Sequence, residues 1–334
     1  METEENPDLD KVKELIEECE YEAAEAILKP LFKKDPNNVE ILDYLGEIYL
    51  NMDNYKGSKK MLEKSISLKP NENPDKYMDY AQVLEIPIQR VESYKKAIEL
   101  YINDLKKEKK NKDKVNYIKD SISSAYSSIV SLYMTTDLCD DPNAENICEN
   151  SIKEALKYSP DSIEALLQLS NLRIIRKRDN EAKEAMYKIL EKIKNIDKGE
   201  NLEQSLPERD ILINLSQNFA ELKLFKEACY IINVLLKKDD EDIECYYLLA
   251  VYEENYHNYF SSIEALDKFN TIYMKLQKNK VVITPILQQY VDSAKALYNK
   301  LSKLKKEKLV DENPDDEDME DDDNEDMEED EDIK

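Results

Sequence analysis

VEILDYLGEIYLNMDNYKGSKKMLEKSISLKP, residues 39–70, decides the fold. It contains two runs of helix-forming residues, each with apolar side chains three and four apart, joined by the polar turn NMDNY. The stretch ends at Pro70 in SLKPNE, and Pro36 in KKDPNN stands 34 residues before it. Between the two prolines, small residues (Gly46, Ser58, Ser65) fall where two antiparallel helices cross and their backbones must approach. Leu45, Tyr49 and Leu62 fill the space between the helices, and proline, which has no N–H and clashes with the preceding turn, ends the second one.

A period of 34 residues built from helix, turn and helix is that of the tetratricopeptide repeat. The same phase recurs along the chain. A first unit, roughly 5–38, has Ala24, Leu28 and Leu31 on its second helix, and a third follows in DKYMDYAQVLEIPIQRVESYKKAIELY. A fourth is interrupted by TTDLCDDPNAENICEN (135–150) and regains register at Ala155 and Pro160. Units near 163–196 (Leu169, Ala182, Met186), 209–242 (Leu215, Phe219, Ala228, Ile232) and 243–276 (Leu249, Ala250, Leu266) continue it. ITPILQQYVDSAKALYNKLSKLKKEK then reads as one long helix with a basic end, able to cap an open stack. The expectation is an all-α tetratricopeptide-repeat (TPR-like) right-handed superhelical solenoid of about seven helix pairs over 1–310, with a C-terminal capping helix, followed by a disordered acidic tail over 311–334. Three polar segments, 106–114, 135–143 and 194–208, are expected to be loops.

Composition agrees. The chain is 41% hydrophobic with only three glycines in 334 residues, which suits helices and leaves few tight strand turns. The opening METEENPDLD lacks a signal peptide's basic start and apolar core, and no apolar run is long enough to span a bilayer, so a soluble intracellular protein is expected. Residues 311–334 hold 17 Asp or Glu against one Lys and so account for −16 of the net charge of −26, leaving −10 on residues 1–310. An acidic body with an acidic tail repels phosphate backbones and attracts basic proteins. Direct nucleic-acid binding and membrane binding are therefore not expected.

Residues for catalysis are sparse. Three scattered glycines cannot form a phosphate loop, and His257, the one histidine, has no second ligand at metal spacing. It reads as a helix-end or surface residue. Cys19, Cys139, Cys148, Cys229 and Cys245 are odd in number and irregularly spaced, which fits reduced thiols. Cys139 and Cys148 lack the close pairing that a structural zinc site needs. Cys148 falls where other units put Ala24, Ser58, Ala182 and Ala228, the small residue at the helix crossing, and Cys139 falls at a helix end or turn. No enzyme activity, cofactor or metal is expected.

In tetratricopeptide solenoids the first helices of successive pairs line a concave face that takes a segment of another protein. Where one common variety clamps carboxylates with Lys and Asn, residues 39–70 have Asp43 and Glu47, which would repel such a ligand. Acidic and aromatic residues recur on the first helices: Glu40, Asp43 and Glu47, then Tyr77, Asp79 and Tyr80, later Glu244 and Tyr247. Such a lining suits Lys and Arg, through charge-assisted bonds and tyrosine faces. A solvated helix surface is the competing reading of the same carboxylates.

SLYMTTDLCDDPNAENICENSIKEALKYSPDSIEALLQLSNLRIIRKRDNEA (131–182) closely resembles a segment shared by the assembly chaperones of the large-subunit ribosomal protein uL4 (RPL4). In that family TDLC is followed by an acidic stretch, AExxCE, a helix ending in AL, and EALQxLxxxR. LKPLFKKDPNNVEILDYLGEIYL and NPDKYMDYAQV look like its first repeats, so the likeness runs over about 20–190 and more loosely beyond. The chain departs from the family at Gly57 and Ser58, at Arg90 and in the lysine-rich 106–114. The resemblance implies a solenoid that binds newly made uL4, chiefly by its long basic internal loop, keeps it soluble and accompanies it from cytoplasm to nucleus. Two other readings stand beside it: a scaffold subunit of a multi-protein complex, and a histone-type chaperone acting through the acidic tail.

Overall fold

The computed structural model describes residues 7–199 and 206–306. Among them are fifteen α-helices and no strand. They follow the chain as antiparallel neighbours: α1 (Pro7–Glu17) with α2 (Tyr21–Lys34), α3 (Val39–Asn51) with α4 (Tyr55–Leu68), and α5 (Asp75–Val83) with α6 (Pro87–Lys107). Next come α7 (Lys112–Thr135), a 3-10 turn (Asp137–Asp140), α8 (Ala144–Tyr158), α9 (Ile163–Ile175) and α10 (Asp179–Asp197). After 200–205, α11 (Arg209–Glu221) pairs with α12 (Phe225–Lys238), α13 (Ile243–Asn255) with α14 (Tyr259–Lys278), and α15 (Pro285–Lys306) lies against α13 and α14. The chain forms two compact units, Met1–Ile189 and Leu190–Lys334. The expected helix-pair repeat is the architecture found. The acidic stretch 311–334 lies outside the described residues.

Both ends of the repeat helices are closed locally. Asn38, Asn54, Ser162, Asp242 and Asn258 each precede a helix and accept a hydrogen bond from the backbone N–H three residues on, satisfying a donor that has no intrahelical partner. At the other end, Cys19, Asp53, Lys177, Lys223, His257 and Lys280 have φ between 55° and 67°. Each sits where a helix reverses, and the next N–H reaches back five residues, as in Asn54 N to Tyr49 O at 2.8 Å and Asn258 N to Glu253 O at 2.9 Å. Glycine usually fills this left-handed position. Here polar side chains carry it, so a chain with three glycines still makes its turns. His257 is therefore a helix-end residue, its Nδ1 3.1 Å from the Tyr259 hydroxyl.

The small-residue phase is a packing rule. Ala24, Ser58, Cys148, Ala182 and Ala228 are all buried. The Cys148 Sγ lies 4.0 Å from the Val130 carbonyl oxygen of α7, and burial pushes its thiol up to about 11, which leaves it inert. Cys139 is exposed in the 3-10 turn. Gly46 is the tightest crossing: a Cβ there would stand 2.5 Å from Cδ2 and 2.7 Å from Cγ of the fully buried Leu62. Gly46→Ala should therefore lower the stability of the first unit by up to about 2 kcal/mol, overpacking offsetting and then exceeding roughly 1 kcal/mol of helix propensity. Thermal melting checks this, and a rise in the melting temperature would contradict the packing argument.

Two expected loops are shorter than the sequence suggested. Residues 106–114 are mostly helical, because α6 runs to Lys107, whose charge suits a helix C-terminus, and α7 begins after Asn111, which accepts from Lys114 N at 3.0 Å. Only 108–111 connect them. Likewise α10 continues to Asp197 inside the expected 194–208 loop. With α6 at 21 residues and α7 at 24, the third and fourth pairs are larger than the 13- and 14-residue pair α3–α4.

Candidate functional site

The first helices α3 and α5, with α7 beside them, enclose an open pocket of about 860 Å³ in the first unit. Its acidic lining follows from helical spacing. Asp43 and Glu47 are four residues apart on α3, and Asp75 and Asp79 four apart on α5, so each pair shares one helix face. Glu40, one turn before Asp43, and Tyr44 line the pocket too, as does Tyr117 of α7. Of the expected residues, Glu40, Asp43, Glu47 and Asp79 come together here.

The carboxylates are held in different ways. Asp43, 9% exposed, accepts from the Ser65 hydroxyl and from Asn73 Nδ2 at 2.8 Å. Asp75 accepts on one oxygen from both the Tyr101 and the Tyr117 hydroxyls, the latter at 2.7 Å. No side-chain hydrogen bond or ion pair reaches Glu47 or Asp79 from the described residues. Lys76, 1% exposed, also lines the pocket, but its ammonium turns inward to the Ser65 hydroxyl at 3.2 Å and the Lys69 carbonyl at 2.7 Å. Lys69 is itself paired with Glu72 at 2.8 Å.

Negative charge in a half-buried space resists ionisation. Burial raises the Asp43 and Glu47 carboxyls above the ordinary carboxylate range, and burial together with Glu47, Asp75 and Asp43 pushes Asp79 up to about 8. Burial also lowers the Lys76 ammonium. The sign for stability follows by linkage. For Asp79 the folded value is the higher one, so its contribution to stability is fully present below about pH 4 and is lost as pH rises through 8. The melting temperature of the first unit should therefore fall between pH 6 and pH 9, and Asp79→Asn should flatten that slope. A slope unchanged by the substitution would show that Asp79 is ionised throughout.

The other expected residues lie elsewhere. Tyr77 is buried and its hydroxyl donates to the Pro70 carbonyl at 2.8 Å, so it anchors the α4–α5 turn instead of facing the pocket. Tyr80 points away from the pocket to Glu63, 3.1 Å from its hydroxyl. In the second unit Glu244 is occupied, since Arg209 Nη2 donates to it at 2.7 Å and the Tyr290 hydroxyl at 2.8 Å. The same guanidinium holds Asp242 at 2.6 Å through Nε, and Tyr247 stacks on Tyr290 with ring centroids 5.0 Å apart. These groups close a helix junction. Residues 73, 75, 76 and 117 were missed by sequence reading; Asp75 alone had a signal, its four-residue spacing from Asp79.

The motif from 131 to 182 has a structural reading. Thr136 Oγ1 accepts from Leu138 N at 3.2 Å and shapes the 3-10 turn. Glu149 of α8 receives both terminal nitrogens of Arg173 on α9, one at 3.0 Å, and Arg173 Nε donates to Glu181 of α10 at 2.9 Å. Arg178 reaches the same Glu181 at 2.7 Å, and Arg176 pairs with Glu145. The guanidinium holds Glu149 well below the usual carboxylate range. This part of the chain is a three-helix clasp.

Among the described residues no group of His, Cys, Asp and Glu has the arrangement of a metal site, and no helix is long and apolar enough to cross a membrane. The chain matches no protein-family model. It is 27% identical over 245 residues to a protein of Schizosaccharomyces pombe called a probable assembly chaperone of rpl4, covering 72% of this chain and 71% of that one. A protein of the same description from Emericella nidulans is 34% identical over 106 residues, 32% of this chain and 27% of its own. Among solved structures, an assembly chaperone of RpL4 superposes with a TM-score of 0.65 at 20% identity, over 75% of this chain and 96% of that one. The resemblance stated from the sequence is thus borne out by both relatives, and the solved structure shares the fold.

Proposed function

We propose that this chain is a chaperone of ribosomal protein uL4 that holds a basic segment of its client, the internal loop, against the acidic pocket between α3 and α5. The observation that carries the reading is the pocket's excess of negative charge: six carboxylates line it against two lysines, of which Lys69 is paired with Glu72 and Lys76 is turned into the core. The relatives' names supply the client. Lys and Arg side chains of a loop that will later contact ribosomal RNA need anionic partners until then, and carboxylates compete with RNA for the same cations. The acidic stretch 311–334 adds attraction that is screened beyond about 8 Å at physiological salt. On this reading the protein works without catalysis or a cofactor and travels between cytoplasm and nucleus.

Purifying the tagged protein at moderate salt and identifying everything retained at stoichiometric level tests this. uL4 alone among ribosomal proteins is the expected result. A stable multi-protein set without uL4 would overturn the chaperone reading in favour of a scaffold.

A further inference from the structure

We propose that the pocket between α3 and α5 takes up a lysine or arginine side chain in exchange for the proton that Asp79 carries when the pocket is empty. The inference rests on the client-binding reading above and adds how that site is regulated.

Asp79 faces acid from every side. It shares the pocket with Glu40, Asp43, Tyr44 and Glu47 of α3 and with Asp75 of its own helix, and of these Glu47, Asp75 and Asp43 act on its carboxyl. From the turn after α4 come Lys69 and Glu72, which neutralise each other. The Tyr101 hydroxyl of α6 and the Tyr117 hydroxyl of α7 both donate to Asp75, so they sustain that charge instead of answering Asp79. Lys76 spends its donors on Ser65 and the Lys69 carbonyl. Asp43 has hydrogen bonds from Ser65 and Asn73 that favour its charged form, whereas Asp79 has no donor among the described residues. The proton that makes this geometry tolerable therefore sits on Asp79, consistent with its elevation to about 8. A guanidinium or ammonium placed between Glu47 and Asp79 removes the cause of that elevation, so the carboxyl ionises as the cation enters. Capture then strengthens with rising pH and is weakened by acid.

Calorimetry with the full-length chain tests this, titrating a dodecapeptide of alternating arginine and glycine, and separately uL4, in PIPES and in Tris at pH 7. Near that pH a group titrating around 8 is about nine-tenths protonated, so roughly one proton should be released per binding event, seen as a buffer-dependent enthalpy. Affinity should rise about tenfold from pH 6 to pH 7. Asp79→Asn, which keeps the shape of the side chain, should abolish the proton release while the ligands still bind. Binding of uL4 with the same enthalpy in both buffers, or undiminished proton release from the Asp79→Asn variant, would overturn the inference and leave the client reading intact. If neither peptide nor uL4 bound between pH 6 and pH 9, both would fall.

Discussion

Replacing Glu47 by Gln and Asp79 by Asn together is expected to weaken uL4 binding at pH 8 by about 100-fold, with no loss of thermal stability. These are the two pocket carboxylates that no donor among the described residues occupies, so both are open to a client's cations. A charge-assisted hydrogen bond contributes roughly 1.5–3 kcal/mol, so losing two is worth about 3 kcal/mol, or two decades in Kd. Stability should hold or rise, because each substitution removes a charge whose ionisation is disfavoured by burial and acidic neighbours. Asp43→Asn is the contrasting variant: Asp43 binds Ser65 and Asn73 and faces Lys76, so it should cost stability as well as affinity. Unchanged uL4 affinity in the Glu47→Gln, Asp79→Asn protein would remove the pocket from the binding surface.

Arg173→Ala is expected to destabilise the first unit by about 3 kcal/mol and lower its melting temperature by roughly 10 °C. Arg173 is 9% exposed, joins α8 to α10 through Glu149 and Glu181, and is the last residue of the EALLQLSNLR run on α9. Removing it leaves the two carboxylates only the more exposed Arg178, which donates to Glu181 at 2.7 Å and stands 3.8 Å from Glu149. Both have side chains at least a third exposed, so water recovers part of the loss, and the cost stays at the lower end of that for a fully buried pair. Glu145→Ala, which breaks the exposed pair with Arg176, should cost under about 1 kcal/mol. Equal effects from the two substitutions would show that the clasp is no more than surface charge. uL4 affinity of the folded Arg173→Ala protein should be unchanged, because the clasp does not line the pocket.

These two predictions separate what the sequence made legible. The helix pairs were readable because small residues at Gly46, Ser58, Cys148, Ala182 and Ala228 and prolines at 36, 70 and 160 recur with a local physical cause. The motif from 131 to 182 was readable as a likeness, yet its role emerges only when Glu149, Arg173 and Glu181, spread over 33 residues, meet at one junction. For the site, four-residue spacing was the usable signal. It puts Asp43 with Glu47 and Asp75 with Asp79, while Tyr77 and Tyr80 fall off that face of α5 and find partners elsewhere. The sequence cannot say which carboxylates are already satisfied. Glu244 looked equivalent to Glu47 until Arg209 and Tyr290 were found on it, 35 and 46 residues away along the chain. The inward turn of Lys76 is equally non-local, set by Ser65 on α4 and by the end of that helix.

The measurement that bears most directly on the central claim is the affinity of the full-length chain for uL4 with and without the client's basic internal loop, across a series of salt concentrations. The expected result is a tight complex whose affinity falls steeply with salt, and loss of most of that affinity, together with most of the salt dependence, when the loop is removed. A uL4 lacking its loop that binds as tightly, with the same response to salt, would contradict the claim that the acidic pocket exists to hold that loop.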